Sequence, residues 1–379
     1  MADAAPPAAA WRWIGAARRL ARAEILMALA LAAFQTILMA RLSAGDFFNS
    51  FAYISDDGFD WITQGVAFNQ LVSGEDATPW PVLRLPGFVM VSALDDAFGA
   101  LGLVFFLAQG LAVGLTAWMI GRYGRAKGFG AWPIAAVLAA WYFSIFGFWR
   151  LWVLSDTLAS ALMTASVVLL LAGLEKEARA TPAAEARRLA PAAAVAVLAG
   201  LTQTYGIIPF LVICTLYAAG RLVARRDIRA ATAPAAAMIA VAAATFGLQK
   251  LWAAFIPHAS QPSQFGLLKL TLDMAPFYAN VWTLAFAALA PAVLVAAVAK
   301  WRARALPTIE EIALIASVGA FAVMTLLYQW TESRFTFLSL PLAWLAIIAW
   351  CAPGERRGEP AARVGRAPAR ALLACAVLS

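Results

Sequence analysis

The feature that most constrains this chain is a series of apolar runs, each comparable in length to a helix that crosses a lipid bilayer. Such a helix needs about 20 consecutive apolar residues to span the hydrocarbon core. Segments rich in Arg and Lys separate many of the runs. We predict ten spans, which cover about residues 24–43, 99–121, 129–147, 153–174, 189–202, 206–222, 231–254, 276–299, 311–328 and 335–352.

The composition of the whole chain supports the membrane class. Hydrophobic residues make up 63% of the chain and charged residues 13%, and the mean hydropathy is +0.77. A soluble fold could not bury that much apolar surface.

The fifth run is short, and Gln203 and Tyr205 separate it from the sixth. This break predicts either a tight external turn or one bent helix.

The positions of Lys and Arg predict the orientation of the spans, because cytoplasmic segments of membrane proteins carry an excess of both. With the N-terminus inside, all but six of the 29 basic residues fall in internal segments. The exceptions are Arg41, Arg84, Arg150, Lys250, Lys269 and Arg334. We therefore predict that both termini are cytoplasmic, with 1–23 a basic N-terminus and 353–379 a basic, disordered tail. The membrane is expected to be the bacterial inner membrane.

The internal segments offer no place for a nucleotide. They are short and lack the glycine-rich sequences that cradle phosphates. Any reaction is therefore expected at the outer face, without ATP or a nucleotide sugar.

The net charge of +8 is spread between spans and does not indicate nucleic-acid binding. The three cysteines, Cys214, Cys351 and Cys375, predict no disulfide framework or CxxC metal site.

The first external loop, residues 44–98, is the longest connection between spans, and loops of this length are often functional. Residues 61–72 carry apolar side chains at helical spacing, which predicts an amphipathic helix along the membrane surface. Asp56 and Asp57 come just before it, where a helix N-terminus favours negative charge.

Two interpretations of this carboxylate pair are open. Asp is a preferred N-cap residue, so either side chain could simply cap the helix. One cap needs only one side chain, however, and two neighbouring carboxylates can share a proton or a cation. One of them could then act as a base on a hydroxyl. The pair could also hold a divalent cation, although no cofactor is required by the sequence and no metal site is predicted.

Four short motifs are distinctive: Asp56-Asp57-Gly58-Phe59 after the first span, Arg84-Leu85-Pro86-Gly87-Phe88 before the second, Ser155-Asp156-Thr157-Leu158 opening the fourth, and Arg334-Phe335 with Pro341 in the last. Together they resemble the motifs of the GT-C glycosyltransferases. These are multi-helix membrane enzymes that use polyprenyl-phosphate sugars, and they include protein O-mannosyltransferases, aminoarabinose transferases of lipid A and mycobacterial arabinofuranosyltransferases. The resemblance covers about residues 24–350.

The resemblance implies both a fold and an activity. The fold would be an all-α, GT-C-like bundle of about ten transmembrane helices over 24–352, with amphipathic helices in the first extracytoplasmic loop. The activity would be inverting transfer of a hexosyl or pentosyl group from a polyprenyl-phosphate donor to an acceptor hydroxyl at the outer face. Asp56 or Asp57 would be the general base, with Asp56 slightly favoured. Asp156 would position the acceptor or help to hold a cation.

Binding of the departing phosphate requires positive charge at the outer side. The candidates are Arg84, Arg150, Lys269, Arg334 and His258. Three of them also have a plainer interpretation: Arg84 could pair with a loop acid, Arg334 with the nearby Glu332, and His258 could be a solvated loop residue. Tyr205 is a candidate pocket residue, whereas most other aromatic residues are expected to form interfacial belts.

Two other functions compete with glycosyl transfer. A ten-helix transporter or lipid flippase would be expected to show two related halves and charges in mid-span, and neither is evident. A non-catalytic scaffold whose basic loops bind anionic lipid would leave the first loop unexplained. The expected partners are the lipid-linked donor, a lipid, glycan or protein acceptor, and membrane lipids.

Overall fold

All regular secondary structure in the described part of the chain is helical. A computed structural model describes residues 8–42, 56–75, 85–99, 102–144, 155–175, 181–225, 228–255, 275–302, 306–327, 334–352 and 366–378. The helices in these ranges are α1 (Ala8–Leu42), α2 (Asp56–Ser73), α3 (Pro86–Ala97), α4 (Leu103–Ala126), α5 (Ala131–Tyr142), α6 (Ser155–Glu175), α7 (Pro182–Thr202), α8 (Ile208–Arg225), α9 (Ile228–Phe255), α10 (Ala275–Arg302), α11 (Ile309–Leu327), α12 (Arg334–Cys351) and α13 (Arg366–Leu378). A 3-10 turn, Thr204–Ile207, joins α7 to α8.

Each of the ten predicted spans falls on one of these helices, α1 or α4 to α12. The break at Gln203 and Tyr205 is a tight turn and not a bent helix. Five stretches of the described residues are long and apolar enough to cross a membrane by length and composition: Ala23–Arg41, Leu103–Ala126, Ser155–Glu175, Thr204–Val223 and Ile228–Phe255. The prediction of an all-α polytopic membrane protein is confirmed.

Large apolar side chains cover the outside of the bundle. Leu111 on α4 and Leu251 on α9 are among the exposed ones, and Trp132 and Trp301 are 83% and 78% exposed. Exposure of this kind is suited to lipid, because the bilayer core solvates apolar side chains and the interface favours Trp. The helices pack closely where side chains are small: a Cβ added at Gly114 on α4 would lie 2.9 Å from the Cβ of Ala32 on α1.

Ion pairs join the helices at one end of the bundle. Arg125 pairs with Glu24, and the Nζ of Lys127 lies 2.7 Å from carboxylate oxygens of both Glu175 and Glu310. Further pairs, each at 2.6 Å, are Arg221 with Glu185 and Lys300 with Glu311. We call these residues the ion-pair layer. It joins the ends of α4, α6, α8 and α10 to the starts of α7 and α11 and, through Glu24, to α1.

Lys127 ties three helices together within this layer. It follows α4, Glu175 ends α6 and Glu310 lies in the first turn of α11. Burial alone would lower the pKa of Lys127, but the carboxylates of Glu310 and Glu175 outweigh burial and raise that pKa. The contribution of Lys127 to stability is therefore complete at neutral pH and is lost only as the pH rises through the raised value.

We expect Lys127→Met to lower the free energy of unfolding by about 2 kcal/mol, because it leaves the partly buried carboxylate of Glu310 without its cation. The measurement is thermal unfolding of the detergent-solubilised protein at neutral pH. Arg122→Met is the matched control, since Arg122 lies about one turn earlier on α4 and is exposed. Equal melting temperatures for the two variants would contradict the bridging role of Lys127.

The first loop contains two helices that pack on each other. The Nδ2 of Asn69 on α2 donates 2.8 Å bonds to Ala93 O and to Asp96 Oδ2 on α3. Gly65 permits the close approach, because a Cβ there would lie 2.7 Å from the backbone nitrogen of Ala93. The predicted helix at 61–72 is confirmed, and it begins earlier, at Asp56.

The C-terminal segment corrects a prediction. Residues 366–378, which we expected to be disordered, form α13, and the side chains of Leu372 and Cys375 are fully buried against the bundle. The Sγ of Cys375 donates to the carbonyl of Ala292 on α10 at 3.1 Å and lies 3.9 Å from the Sγ of Cys351 on α12. The stretch is too short to span a bilayer but long enough to bury one apolar face.

We expect Leu372→Ala to lower the free energy of unfolding by about 2 kcal/mol, because it removes a fully buried leucine side chain between helices. Val377→Ala is the control on the same helix, since Val377 is 81% exposed. Thermal unfolding in detergent compares the two. If both variants melt at the wild-type temperature, α13 does not contribute to stability.

Candidate functional site

Polar side chains meet at the end of the bundle opposite the ion-pair layer. They come from the start of α6, the turn between α7 and α8, and the last third of α9. We call this group the polar cluster. Its members are Ser155, Asp156, Gln203, Thr204, Tyr205 and Gln249.

Asp156 is the central carboxylate of the polar cluster. It is the second residue of α6 and only 1% exposed. The hydroxyl of Tyr205 donates a hydrogen bond to its Oδ1 at 2.8 Å, across 49 positions of sequence. The start of a helix favours negative charge, because its first N–H groups have no partner within the helix. Two residues singled out separately from the sequence, Asp156 and Tyr205, are thus in direct contact.

The turn after α7 is held to its neighbours on two sides. The Nε2 of Gln203 donates to the Oγ of Ser155 on α6. The Nε2 of Gln249 on α9 donates to Gly200 O at 2.8 Å and to Thr204 Oγ1 at 3.2 Å. Side-chain amides from two elements therefore define where the turn lies.

The second motif of the first loop lies beside this turn. Pro86 and Gly87 begin α3, and Pro is well suited to the first turn of a helix. A Cβ at Gly87 would lie 3.0 Å from the Cα of Thr202, the last residue of α7. Glycine thus allows the start of α3 to touch the end of α7, next to Gln203. Arg84, which directly precedes this segment, lies outside the described residues.

The helix that begins with the carboxylate pair also reaches this region. Asp56 and Asp57 are the first two residues of α2, but their side chains lie outside the described part of the structure. Farther along α2, the ring of Phe68 lies 5.6 Å from Trp252 and 6.5 Å from Phe255 on α9. Trp252 comes one turn after Gln249. The end of α9 therefore contacts both α2 and the polar cluster.

The fourth motif begins a helix beside α6. Arg334 is the first residue of α12, although its side chain is not among those described. The Oγ of Ser160 on α6 donates to Leu338 O on α12 at 3.5 Å. Ser160 lies one turn after Asp156, and Leu338 lies one turn after Arg334. The starts of α6 and α12 thus lie at the same end of the bundle and at about the same depth in it.

The remaining predicted residues, Arg150, His258 and Lys269, lie outside the described residues. Among the side chains that the structure describes, no group of three or more His, Cys, Asp and Glu could hold a metal ion.

Gln249 and the role of Gln203 were missed by reasoning from sequence. Gln249 lies within a predicted apolar span, and a polar side chain in such a span is costly unless it has a partner. That signal was present in the sequence. Gln203 was noted only as a break between spans, because the distance to Ser155 depends on how α6 and α7 pack.

Comparison with known proteins defines the fold. No protein-family model matches the sequence, and no curated protein matches it. The structure is similar to the crystal structure of ArnT from Cupriavidus metallidurans bound to undecaprenyl phosphate, with a TM-score of 0.52 and 17% sequence identity. The match covers 86% of this chain and 59% of ArnT, so the chain spans less than two thirds of that protein. The prediction of a GT-C-like helical bundle is confirmed at the level of fold.

Proposed function

We propose that this chain transfers a sugar from a polyprenyl-phosphate donor to an acceptor hydroxyl at the outer face of the membrane. The observation that carries the proposal is the gathering of the motif-bearing helix starts around a buried carboxylate. The start of α6 holds Asp156, and α12 begins beside α6. α3 begins against the end of α7, and the turn that follows α7 bonds to Ser155 and Asp156. The fold shared with ArnT, which was crystallised with undecaprenyl phosphate, supports a lipid-linked donor.

The chemistry requires a base and a site for a leaving phosphate. In a single displacement, Asp56 or Asp57 accepts the proton of the acceptor hydroxyl, and the hydroxyl oxygen bonds to the anomeric carbon. The bond from that carbon to the phosphate oxygen breaks, and polyprenyl phosphate departs with its negative charge. The configuration of the sugar is inverted. Asp156 positions the acceptor, or a cation beside it, from the start of α6.

Cationic side chains stabilise the charge that develops on the phosphate. Arg84 and Arg334 are suited to this role, because their positions adjoin the starts of α3 and α12 and because a guanidinium can bind phosphate through two hydrogen bonds. Lys269 and His258 are further candidates from the segment after α9. Tyr205 belongs to the same site through its contact with Asp156.

The ion-pair layer supports the proposed orientation. Its basic residues belong to segments predicted to be cytoplasmic, and the polar cluster is at the other end of the same helices. We therefore place the active site on the extracytoplasmic side of the bacterial inner membrane, with both termini in the cytoplasm. The positive-inside rule is the physical basis of this assignment.

The test is sugar transfer by membranes that contain the protein, using labelled polyprenyl-phosphate hexoses and pentoses as donors. We expect transfer of label from at least one donor, with inversion at the anomeric carbon. Membranes with an equal amount of the Asp56→Asn, Asp57→Asn double variant are the background. Absence of transfer from every donor by the folded wild-type protein would overturn the proposal and favour the transporter alternative.

A further inference from the structure

Two side-chain hydrogen bonds join the turn between α7 and α8 to the start of α6. Gln203 and Tyr205 are two residues apart on the turn, and they donate to the consecutive residues Ser155 and Asp156. Both donors come from one short segment, and both acceptors lie in the first turn of one helix. This pairing fixes the relative position of turn and helix as well as the direction of the Asp156 side chain.

The backbone of the turn is itself held in place. The N–H of Gly206 donates to Gln203 O at 2.8 Å, and a Cβ at Gly206 would lie 2.7 Å from Ala199 O on α7. Gln249 adds bonds to the carbonyl of Gly200 and to Thr204. Because the backbone is constrained from α7 and α9, the Tyr205 hydroxyl reaches Asp156 from a defined point.

The surroundings of Tyr205 do not suit a sugar-stacking residue. Its side chain is buried, with the residue 8% exposed. Its ring packs edge-on to Phe321 of α11 with centroids 6.4 Å apart, and its hydroxyl is bonded to Asp156. Stacking on a sugar requires an open ring face. Tyr205 is better placed to act on Asp156 than on a substrate.

We infer that Tyr205 and Gln203 are positioning residues, which act on the proposed reaction through Asp156 and Ser155 and not by contact with substrate. This inference rests on the proposed function. The hydrogen bond from Tyr205 restricts the rotation of the Asp156 carboxylate. It holds Oδ1 in place and thereby fixes the direction in which Oδ2 points. Misplacement of such a group by about 1 Å can lower a rate by about a hundredfold.

The first test is Tyr205→Phe, which keeps the ring against Phe321 and removes only the hydroxyl. We expect kcat to fall by about tenfold to a hundredfold, while KM for the lipid-linked donor changes by less than about threefold, because Tyr205 does not touch the donor. A large rise in donor KM with unchanged kcat would overturn the positioning role.

A double-mutant cycle separates positioning from substrate contact. If Tyr205 acts through Asp156, then Tyr205→Phe has no further effect in the Asp156→Ala background, which removes the carboxylate that the Tyr205 hydroxyl contacts. If Tyr205 binds substrate independently, the two losses multiply, and the inference is overturned. Gln203→Met provides a second variant, since it keeps the length of the side chain and removes the bond to Ser155. We expect it to lower kcat without a large change in donor KM.

Tyr142→Phe is the matched control. Its hydroxyl donates to the Oε1 of Gln35 at 2.7 Å in another buried contact of the bundle, so the same atom is lost at a place outside the polar cluster. We expect it to change melting temperature but not kcat. If the wild type transfers sugar and neither Tyr205→Phe nor Gln203→Met lowers the rate of transfer, this inference alone is overturned. Absence of transfer by the wild type would overturn the proposed function and the inference together.

Discussion

Replacement of Asp56 or Asp57 with Asn is expected to lower sugar transfer by about a hundredfold or more in one of the two single variants, which is within the range for loss of a general base. The amide of Asn has nearly the size of the carboxylate but cannot accept the proton of the acceptor hydroxyl. The measurement is the rate of transfer from a labelled polyprenyl-phosphate sugar, in membranes with equal amounts of each protein. The variant with the loss identifies the base.

This substitution also separates catalysis from helix capping. α2 begins at Asp56, so both acids lie in its first turn, and Asn removes there only a favourable interaction with the helix N-terminus, worth about 0.3 to 1 kcal/mol. A loss of transfer therefore cannot be attributed to a lost cap. Asp60→Asn is a matched control on the same helix. Full activity in both single variants would remove the catalytic assignment and leave the two acids as capping residues.

Replacement of Asp156 with Asn is the second change with a large expected effect. The amide oxygen can still accept the hydrogen bond of Tyr205, so the contact of 2.8 Å between α6 and the turn can persist. What is lost is the negative charge at the start of α6. We expect kcat/KM for the acceptor to fall by about a hundredfold, since a charged hydrogen-bond partner orients the hydroxyl in the transition state. Steady-state kinetics with varied acceptor measure this ratio.

Asp95 provides a matched control for Asp156. It is another buried aspartate at the same end of the bundle, and its carboxylate accepts 2.9 Å bonds from the backbone N–H groups of Gly102 and Val104 at the start of α4. We expect Asp95→Asn to lower the melting temperature and to leave kcat/KM largely unchanged. If Asp156→Asn behaves in the same way as Asp95→Asn, Asp156 stabilises the start of a helix and does not take part in the reaction.

Predictions based on local sequence agree with the structure in the helices. The ten apolar runs coincide with α1 and α4 to α12, and the apolar spacing at 61–72 coincides with α2. These agreements have a local cause, because a run of apolar residues and its flanking polar residues carry the signal within one segment. The C-terminal helix was missed for the opposite reason. An isolated helix of this length is marginal in water, and α13 is stabilised by burial of Leu372 and Cys375 against other helices.

The candidate site was also predicted only in part from the sequence. Its residue types were evident from motifs: Asp156 opens a predicted span, and Tyr205 interrupts two others. Their hydrogen bond was not evident, because it joins residues 49 positions apart. The part played by Gln203 and Gln249 also depends on contacts between elements, since each amide bonds to a residue on another helix or turn.

The sequence by itself determined the class of protein, the positions of the spans and the segments that concentrate acidic or basic charge. Lipid and water sort side chains by their own chemistry, so these features depend on each segment separately. Only the tertiary structure decided that Tyr205 donates to Asp156, that Gly87 touches the end of α7 and that Lys127 joins three helices. Contacts of this kind depend on the packing of many helices at once, because each side chain is placed by neighbours that are distant in the chain.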